Sequence, residues 1–235
     1  MGRRHSTLEH LVTLVLFDID GTLIQSGRAG VRGMNRAFGD LYGAPEALTT
    51  VTVAGRTDRA IVTEVLTTLG HPTDDEAIGR VRDRYCEYLP DALQDPASHP
   101  MGVLPGVHTM LDQLEGRSDV VVGLLTGNFV RGAELKLGHF DLWRRFRFGA
   151  FGDHHSNRRD LVPLAITAAA QAGHPHFTPD RVVVIGDTPL DVDCAHFHGA
   201  RALAVATGLY DEATLGATGA DLTVATLEQV PADWL

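Results

Sequence analysis

The feature that most constrains this chain is the run Val12-Thr13-Leu14-Val15-Leu16-Phe17, closed abruptly by Asp18-Ile19-Asp20-Gly21-Thr22. The run is short, almost wholly apolar and partly β-branched, which suits a strand buried on both faces. Such a strand needs helices above and below its sheet. Three further runs share its character: Val120 to Leu125, Arg181 to Ile185 and Arg201 to Ala206. Each lies next to a helical pattern. Leu161 to Ala172 recurs at helical spacing, with Pro163 in the first turn, where proline is tolerated. Pro189 begins another helix, with Thr188 as a natural N-cap. Strands alternating with helices give right-handed crossovers, so the expected fold class is α/β, a Rossmann-like doubly wound parallel sheet.

One stretch breaks the rhythm. Between about Ile24 and Pro105 there are helical patterns but no clear buried strand. One pattern covers Arg28 to Leu41. Thr57 caps a second, Asp58 to Leu69, which Gly70 would end. Thr73-Asp74-Asp75-Glu76 reads as a capping box opening a third, which runs to about Leu89. The expected organisation is a core of residues 1–23 and 105–235 with a helical cap, residues 24–104, inserted into it.

Composition excludes several classes. With 30 acidic and 20 basic residues the net charge is −10, which argues against a nucleic-acid binder or a polybasic membrane clamp. Two cysteines make no disulfide framework, so a reducing, cytoplasmic setting is expected. No apolar run approaches the roughly 18 residues of a membrane helix. The Met-Gly-Arg-Arg start and the apolar run behind it make a poor signal peptide, lacking length and a small-residue cleavage site. Met1-Gly2 with Ser6 also fits the loose myristoylation pattern.

In open parallel sheets, ligands bind beyond the carboxyl ends of the strands, where the topology switches. Applied here, that rule gathers Asp18 and Asp20 from the first strand, Thr126-Gly127-Asn128 from the second, and Asp187-Thr188 with Asp191 from the third. Two carboxylates about 4 Å apart repel by roughly 4 kcal/mol at an effective dielectric near 20. Several cannot stay ionised together without a cation. An oxygen-only cluster suits a hard ion such as Mg²⁺, shared with a phosphate.

Asp18-Ile19-Asp20-Gly21-Thr22, Leu124-Leu125-Thr126-Gly127-Asn128 and Gly186-Asp187-Thr188-Pro189-Leu190-Asp191, in that order, resemble the haloacid dehalogenase superfamily. The overall pattern looks like its phosphoglycolate phosphatase branch, with a helical cap after the first motif. The resemblance implies a phosphatase acting on a small phosphorylated metabolite, as monomer or homodimer. It implies Asp18 as nucleophile, forming an aspartyl-phosphate, and Asp20 as general acid and then base. It implies Mg²⁺ held by Asp18, the Asp20 carbonyl, Asp187 and Asp191. Thr126 and the Gly127 N–H would hold phosphoryl oxygens, with Gly21, Thr22 and Asn128 beside them. Asp191 can also be read as the acid of a capping box with Thr188, and Asn128 as the cap of the helix at Phe129.

The family's third motif is a lysine or arginine ahead of the Asp187 strand. Arg158 and Arg159 are the candidates; Arg158 aligns better, and an arginine fork can hold a phosphoryl group and an aspartate together. Arg56, in Gly55-Arg56-Thr57-Asp58, could reach from cap to substrate or stand as an exposed charge. Gly27, Gly30 and Gly33 read as helix-start flexibility. The 12 histidines show no metal-ligand spacing. Alternatives on the same motifs are β-phosphoglucomutase-like phosphotransfer, haloacid dehalogenation, which Asp20 disfavours, and a non-catalytic metabolite binder. Phosphonate cleavage would need a cap lysine, and none lies between Met1 and Gly132.

Overall fold

The computed structural model describes residues 12–95 and 99–235; the Met-Gly-Arg-Arg start and the myristoylation pattern lie outside the described residues, while the apolar run that follows is strand rather than signal. Among the described residues there are eight strands, β1 (Thr13–Phe17), β2 (Ile24–Ser26), β3 (Met101–Val103), β4 (Val120–Leu125), β5 (Gly149–Ala150), β6 (Val182–Gly186), β7 (Arg201–Val205) and β8 (Leu222–Val224). Six of them form one parallel sheet in the order β5-β4-β1-β6-β7-β8. From β1 the chain reaches β4 on one side, and only later β6 on the other, so the topology switches at β1. The helices are α1 (Ala29–Tyr42), α2 (Asp58–Thr68), α3 (Asp75–Gln94), α4 (Val107–Glu115), α5 (Val130–His139), α6 (Leu161–Gln171), α7 (Pro189–Phe197) and α8 (Glu212–Gly216).

The period-2 geometry of a strand explains why β1 must be apolar throughout. Val15 and Phe17 point into a core shared with α4 and α5, while Leu14 and Leu16 point into a second core shared with α6 and α7. All four are fully buried. Shortening Leu16 to alanine at such a site costs about 2–5 kcal/mol.

The block between β1 and β4 forms a third hydrophobic cluster of its own. Met34 and Phe38 of α1, Ile61, Val62 and Leu66 of α2, and Val81 and Leu89 of α3 pack there. Phe129, just ahead of α5, inserts into it from the core side.

Three local expectations need correction. β2 and β3 pair antiparallel on either side of the helical block, where no strand was expected. Each has three residues, too few to show a period. The cap of α3 is Asp74, whose side chain accepts from the Ala77 N–H at 2.8 Å, one residue later than the Thr73 box. α3 also continues through Pro90 to Gln94. Proline removes one backbone bond there, but the burial of Ala92 and Leu93 carries the helix past it.

Candidate active site

The end of β1 meets the end of β6. The Asp18 N–H donates to the Ile185 carbonyl at 2.9 Å, extending the ladder by one residue and pinning Asp18 beside Asp187. The first turn of α7 folds Asp191 back toward both. Carboxylate oxygens of Asp18, Asp187 and Asp191 lie within 4.8 Å of one another, and all three residues are buried. Burial pushes the Asp18 carboxyl up to about 6; Arg158 opposes the shift and the Asp191 charge adds to it. Burial, then Asp191 and Asp18, push Asp187 well above the ordinary range. Gly21 makes this crowding feasible. Its φ is +82°, and a Cβ there would lie 2.2 Å from the Asp187 Oδ2. Thr22 donates its hydroxyl to Asp187 Oδ1 at 3.4 Å.

The two candidate arginines separate cleanly. Arg158, in a tight helical turn ahead of α6, is buried; its Nη2 lies 3.2 Å from Asp18 Oδ1 and donates to Asp191 Oδ1. Its Nη1 donates to the Gly55 carbonyl at 3.0 Å, tying the helical block to the core. Arg159 turns outward, pairs with Asp193 at 2.6 Å and lies over the Phe197 ring. Asp191 does act in a cap: Oδ2 accepts from the Thr188 N–H at 3.0 Å and from its hydroxyl at 2.7 Å.

Asp20 faces a different set of partners. Its Oδ1 accepts from the Ser26 hydroxyl at 3.0 Å. Its Oδ2 accepts from Asn128 Nδ2 at 3.0 Å and from Lys136 Nζ at 2.5 Å. Lys136 also donates to Asn128 Oδ1 at 2.6 Å. Burial alone would raise the Asp20 carboxyl, but the Lys136 ammonium and these hydrogen bonds outweigh it and hold the group below the usual range. The Asp20 side chain therefore stands outside the three-carboxylate cluster.

Lys136 escaped the sequence reading. A lysine on a helix ordinarily snorkels into solvent. The signal present was compositional: it is the chain's single lysine among 20 basic residues. It is buried on α5.

Asn128 does not cap α5. The first N–H groups there are taken by Asp58 Oδ2, which accepts from Phe129 at 2.8 Å, and by Asp153 Oδ2, which accepts from Val130 at 2.8 Å. Asn128 Nδ2 instead donates to Thr126 Oγ1 at 2.8 Å as well as to Asp20. The Gly127 carbonyl accepts from the Asp58 N–H at 2.7 Å, while its own N–H has no protein acceptor among the described residues. Arg56 lines the same cavity, but its guanidinium pairs with Glu64 at 2.6 Å and donates to the Thr52 carbonyl at 3.0 Å. Together these residues border a cavity of about 550 Å³ between the sheet edge and the helical block.

The donor set fits a divalent cation. It is oxygen-only, three carboxyl groups share one buried point, and a single guanidinium reaches two of them. Asp187 has no ion-pair partner among the described residues and is the carboxylate with most to gain from a metal.

Residues 15–196 match the model of the haloacid dehalogenase-like hydrolase family. The chain belongs to that family. A phosphoglycolate phosphatase from Cereibacter sphaeroides is 28% identical over 189 residues, covering 80% of this chain and 82% of that protein. Among solved structures, CbbY from Rhodobacter sphaeroides in complex with phosphate superposes with a TM-score of 0.67 at 18% identity, over 93% of this chain and 96% of that one. A hydrolase from Pseudomonas syringae gives 0.65 at 23% identity, over 92% and 94%. Family members of this kind are generally metal-dependent, in keeping with the buried carboxylates.

Proposed function

We propose that the chain is a Mg²⁺-dependent phosphatase that hydrolyses a small phosphorylated metabolite through an aspartyl-phosphate. The observation that carries this reading is the pair Asp18 and Asp20: one carboxyl lies inside a buried cluster short of positive charge, the other beside it with its own proton-handling partners. Asp20, ionised beside Lys136 in the free protein, takes up a proton from solvent before the chemical step; Asp18 Oδ then attacks phosphorus, the bond to the ester oxygen breaks, and Asp20 gives that oxygen its proton. Asp20, now ionised, takes a proton from water, whose oxygen attacks phosphorus and releases inorganic phosphate and the Asp18 carboxylate. Thr126 and the Gly127 N–H hold phosphoryl oxygens, and Arg158 spans Asp18 and the phosphoryl group. Gly21, Thr22 and Asn128 shape the cradle.

Asp18, Asp187 and the Asp20 carbonyl would hold the metal. Bound there, it neutralises the cluster and the phosphoryl oxygens. Asp191, with its oxygens engaged by Arg158 and Thr188, acts as a positioning residue. Residues 24–104 are read as a cap that closes over the phosphoryl group and excludes water. Two free thiols and the absence of any helix long and apolar enough to cross a membrane, among the described residues, support a cytoplasmic setting.

Phosphate release from p-nitrophenyl phosphate, with and without Mg²⁺, tests the reading. Turnover that needs the ion and is lost in Asp18→Asn is expected. Undiminished turnover in that variant would overturn it.

A further inference from the structure

Beyond the carboxylate cluster the same cavity changes character. Met34 of α1, Leu48, Val53 and Ile61 of α2 turn carbon toward it. Two polar groups interrupt that wall. Asp58 uses Oδ2 to accept the Phe129 N–H, and its Oδ1 takes no hydrogen bond among the described residues. Tyr85 of α3 is 1% exposed, lines the cavity, and its hydroxyl has no partner among the described residues. Glycines make room for it: a Cβ at Gly132 would lie 3.3 Å from that hydroxyl, and one at Gly33 3.2 Å from the ring. Gly33 is thus a space-maker for Tyr85 rather than a source of helix-start flexibility. A buried polar group left without a partner costs roughly 1–3 kcal/mol, so a hydroxyl placed here has a use when the cavity fills.

The cations of the lining are already committed. Arg158 serves Asp18 and Asp191, Lys136 serves Asp20, and Arg56 serves Glu64. Arg28, exposed at the rim, is the cation of the lining without an ion pair among the described residues. A second anionic group carried past Arg28 to the inner wall would face Asp20 and Asp58 where Lys136, the nearby cation, is already engaged.

We propose that the leaving group is a neutral alcohol: a mainly apolar skeleton seated on Met34, Leu48 and Ile61, carrying a hydroxyl that donates to Asp58 Oδ1 and lies near Tyr85. The inference rests on the phosphatase reading of this site and narrows its substrate class. A cavity of about 550 Å³ is in the range that encloses a drug-sized ligand. Glycolate, the two-carbon acid of the curated relatives' substrate, would leave most of it empty and place its carboxylate against the acids.

The test compares kcat/KM of the Mg²⁺-loaded protein for phosphoglycolate, hexyl phosphate and ω-hydroxyhexyl phosphate, with p-nitrophenyl phosphate as reference. Both hexyl esters are expected to exceed phosphoglycolate, and the hydroxylated one to exceed its parent by about tenfold or more. Asp58→Ala should bring the ratio of the two hexyl esters to one, and a ratio within one protein cancels any loss of folded enzyme. Phosphoglycolate as the best substrate would overturn the neutral leaving group and leave the phosphatase intact. Equal rates for the two hexyl esters in the unaltered protein would overturn the role of Asp58. No release even from p-nitrophenyl phosphate would overturn the phosphatase reading and this inference with it.

Discussion

Asp18 and Asp20 are the same residue type at the end of the same strand, yet their surroundings push them in opposite directions. Asp18 shares its pocket with Asp187 and Asp191, and its carboxyl rises to about 6. Asp20 meets an ammonium, an amide and a hydroxyl, and its carboxyl falls below the usual range. One pocket is short of positive charge and the other is complete. In the proposed reading the difference assigns a metal to the carboxylates of Asp18 and Asp187 and leaves the Asp20 carboxylate to Lys136. It would also divide the labour of the proposed reaction, because a nucleophile that needs outside help to ionise and a proton carrier held by its own lysine are two separate devices.

The comparison breaks hardest at Asp18. Replacing Asp18 by asparagine removes the nucleophile and should lower kcat on the order of 10⁴-fold or more, as loss of a covalent nucleophile does elsewhere. Because the change also relieves carboxylate crowding, metal-free Asp18→Asn should melt no lower than the parent. Steady-state kinetics and a thermal scan read both, and a variant that lost activity by unfolding would show it in the scan.

Removing the metal tests the charge deficit directly. Chelation should abolish turnover. Mg²⁺ at about 100 times its dissociation constant should stabilise the fold by roughly 2.7 kcal/mol, a rise of about 5–10 °C for a chain of this size. In Asp187→Asn most of that rise should vanish. A rise of equal size in the variant would remove Asp187 from the metal site.

Lys136→Met attacks the other pocket. Asp20 keeps 38% of its side-chain surface in contact with solvent, so the loss should fall below the 3–5 kcal/mol of a fully buried pair, at roughly 1–3 kcal/mol. Asp20 would lose the partner that fixes its direction, and kcat should fall roughly 10- to 100-fold, part of what a general acid–base supplies. KM should move little, since Lys136 binds Asp20 and Asn128 rather than a phosphoryl group, and Lys136→Arg should restore some of the rate. A change confined to KM would make Lys136 a substrate ligand instead.

The pH dependence of stability separates the two pockets without a mutation. Asp18 at about 6, Asp58 at about 7 and Asp187 all lie above the ordinary value of 3.8. The folded state holds these protons more tightly than the unfolded chain. Their stabilising contribution is therefore complete below about pH 4 and is lost as pH rises through about 6 and 7. Metal-free protein should lose on the order of 4 kcal/mol between about pH 5 and pH 7.5. Mg²⁺ should return the share of Asp18 and Asp187 and leave that of Asp58. Asp20, shifted downward, has already made its contribution at pH 5 and stays constant across this window. Melting temperatures that rise over that window without metal would contradict the assignment.

Much of the sheet was legible because burial on both faces leaves a coarse signature. The run at Val120–Leu125 is β4 to the residue, and Arg181–Ile185 lies one position from β6. The strand-end acids were legible for the same reason, since polar residues closing an apolar strand stand out. What the sequence hides is the direction of side chains. Lys136, Tyr85 and Asp58 sit at ordinary helical positions, and only the packing of α1, α2, α3 and α5 against one another turns them inward. The roles of Asn128 and Asp191 were balanced between capping and chemistry. The fold resolves them by supplying α5 with other caps and by letting Asp191 serve Thr188 and Arg158 at once.

Arg56 carries the smallest expected effect and the sharpest question about the helical block between β1 and β4. Its main chain is part of the closed arrangement: a Cβ on Gly127 would lie 2.1 Å from the Arg56 carbonyl oxygen. Its guanidinium is not, because it lies along α2 on Glu64. Part-exposed pairs of this kind are worth about 0–1 kcal/mol. Arg56→Ala should therefore cost at most about 1 kcal/mol in stability and shift kcat/KM by less than about fivefold. Glu64→Gln sharpens the result, because it frees the guanidinium while leaving it in place. If Arg56→Ala instead raised KM by tenfold or more, and Glu64→Gln lowered it, the guanidinium would be exchanging Glu64 for substrate. The charge-poor pocket around Asp18 would then draw a second cation from the helical block.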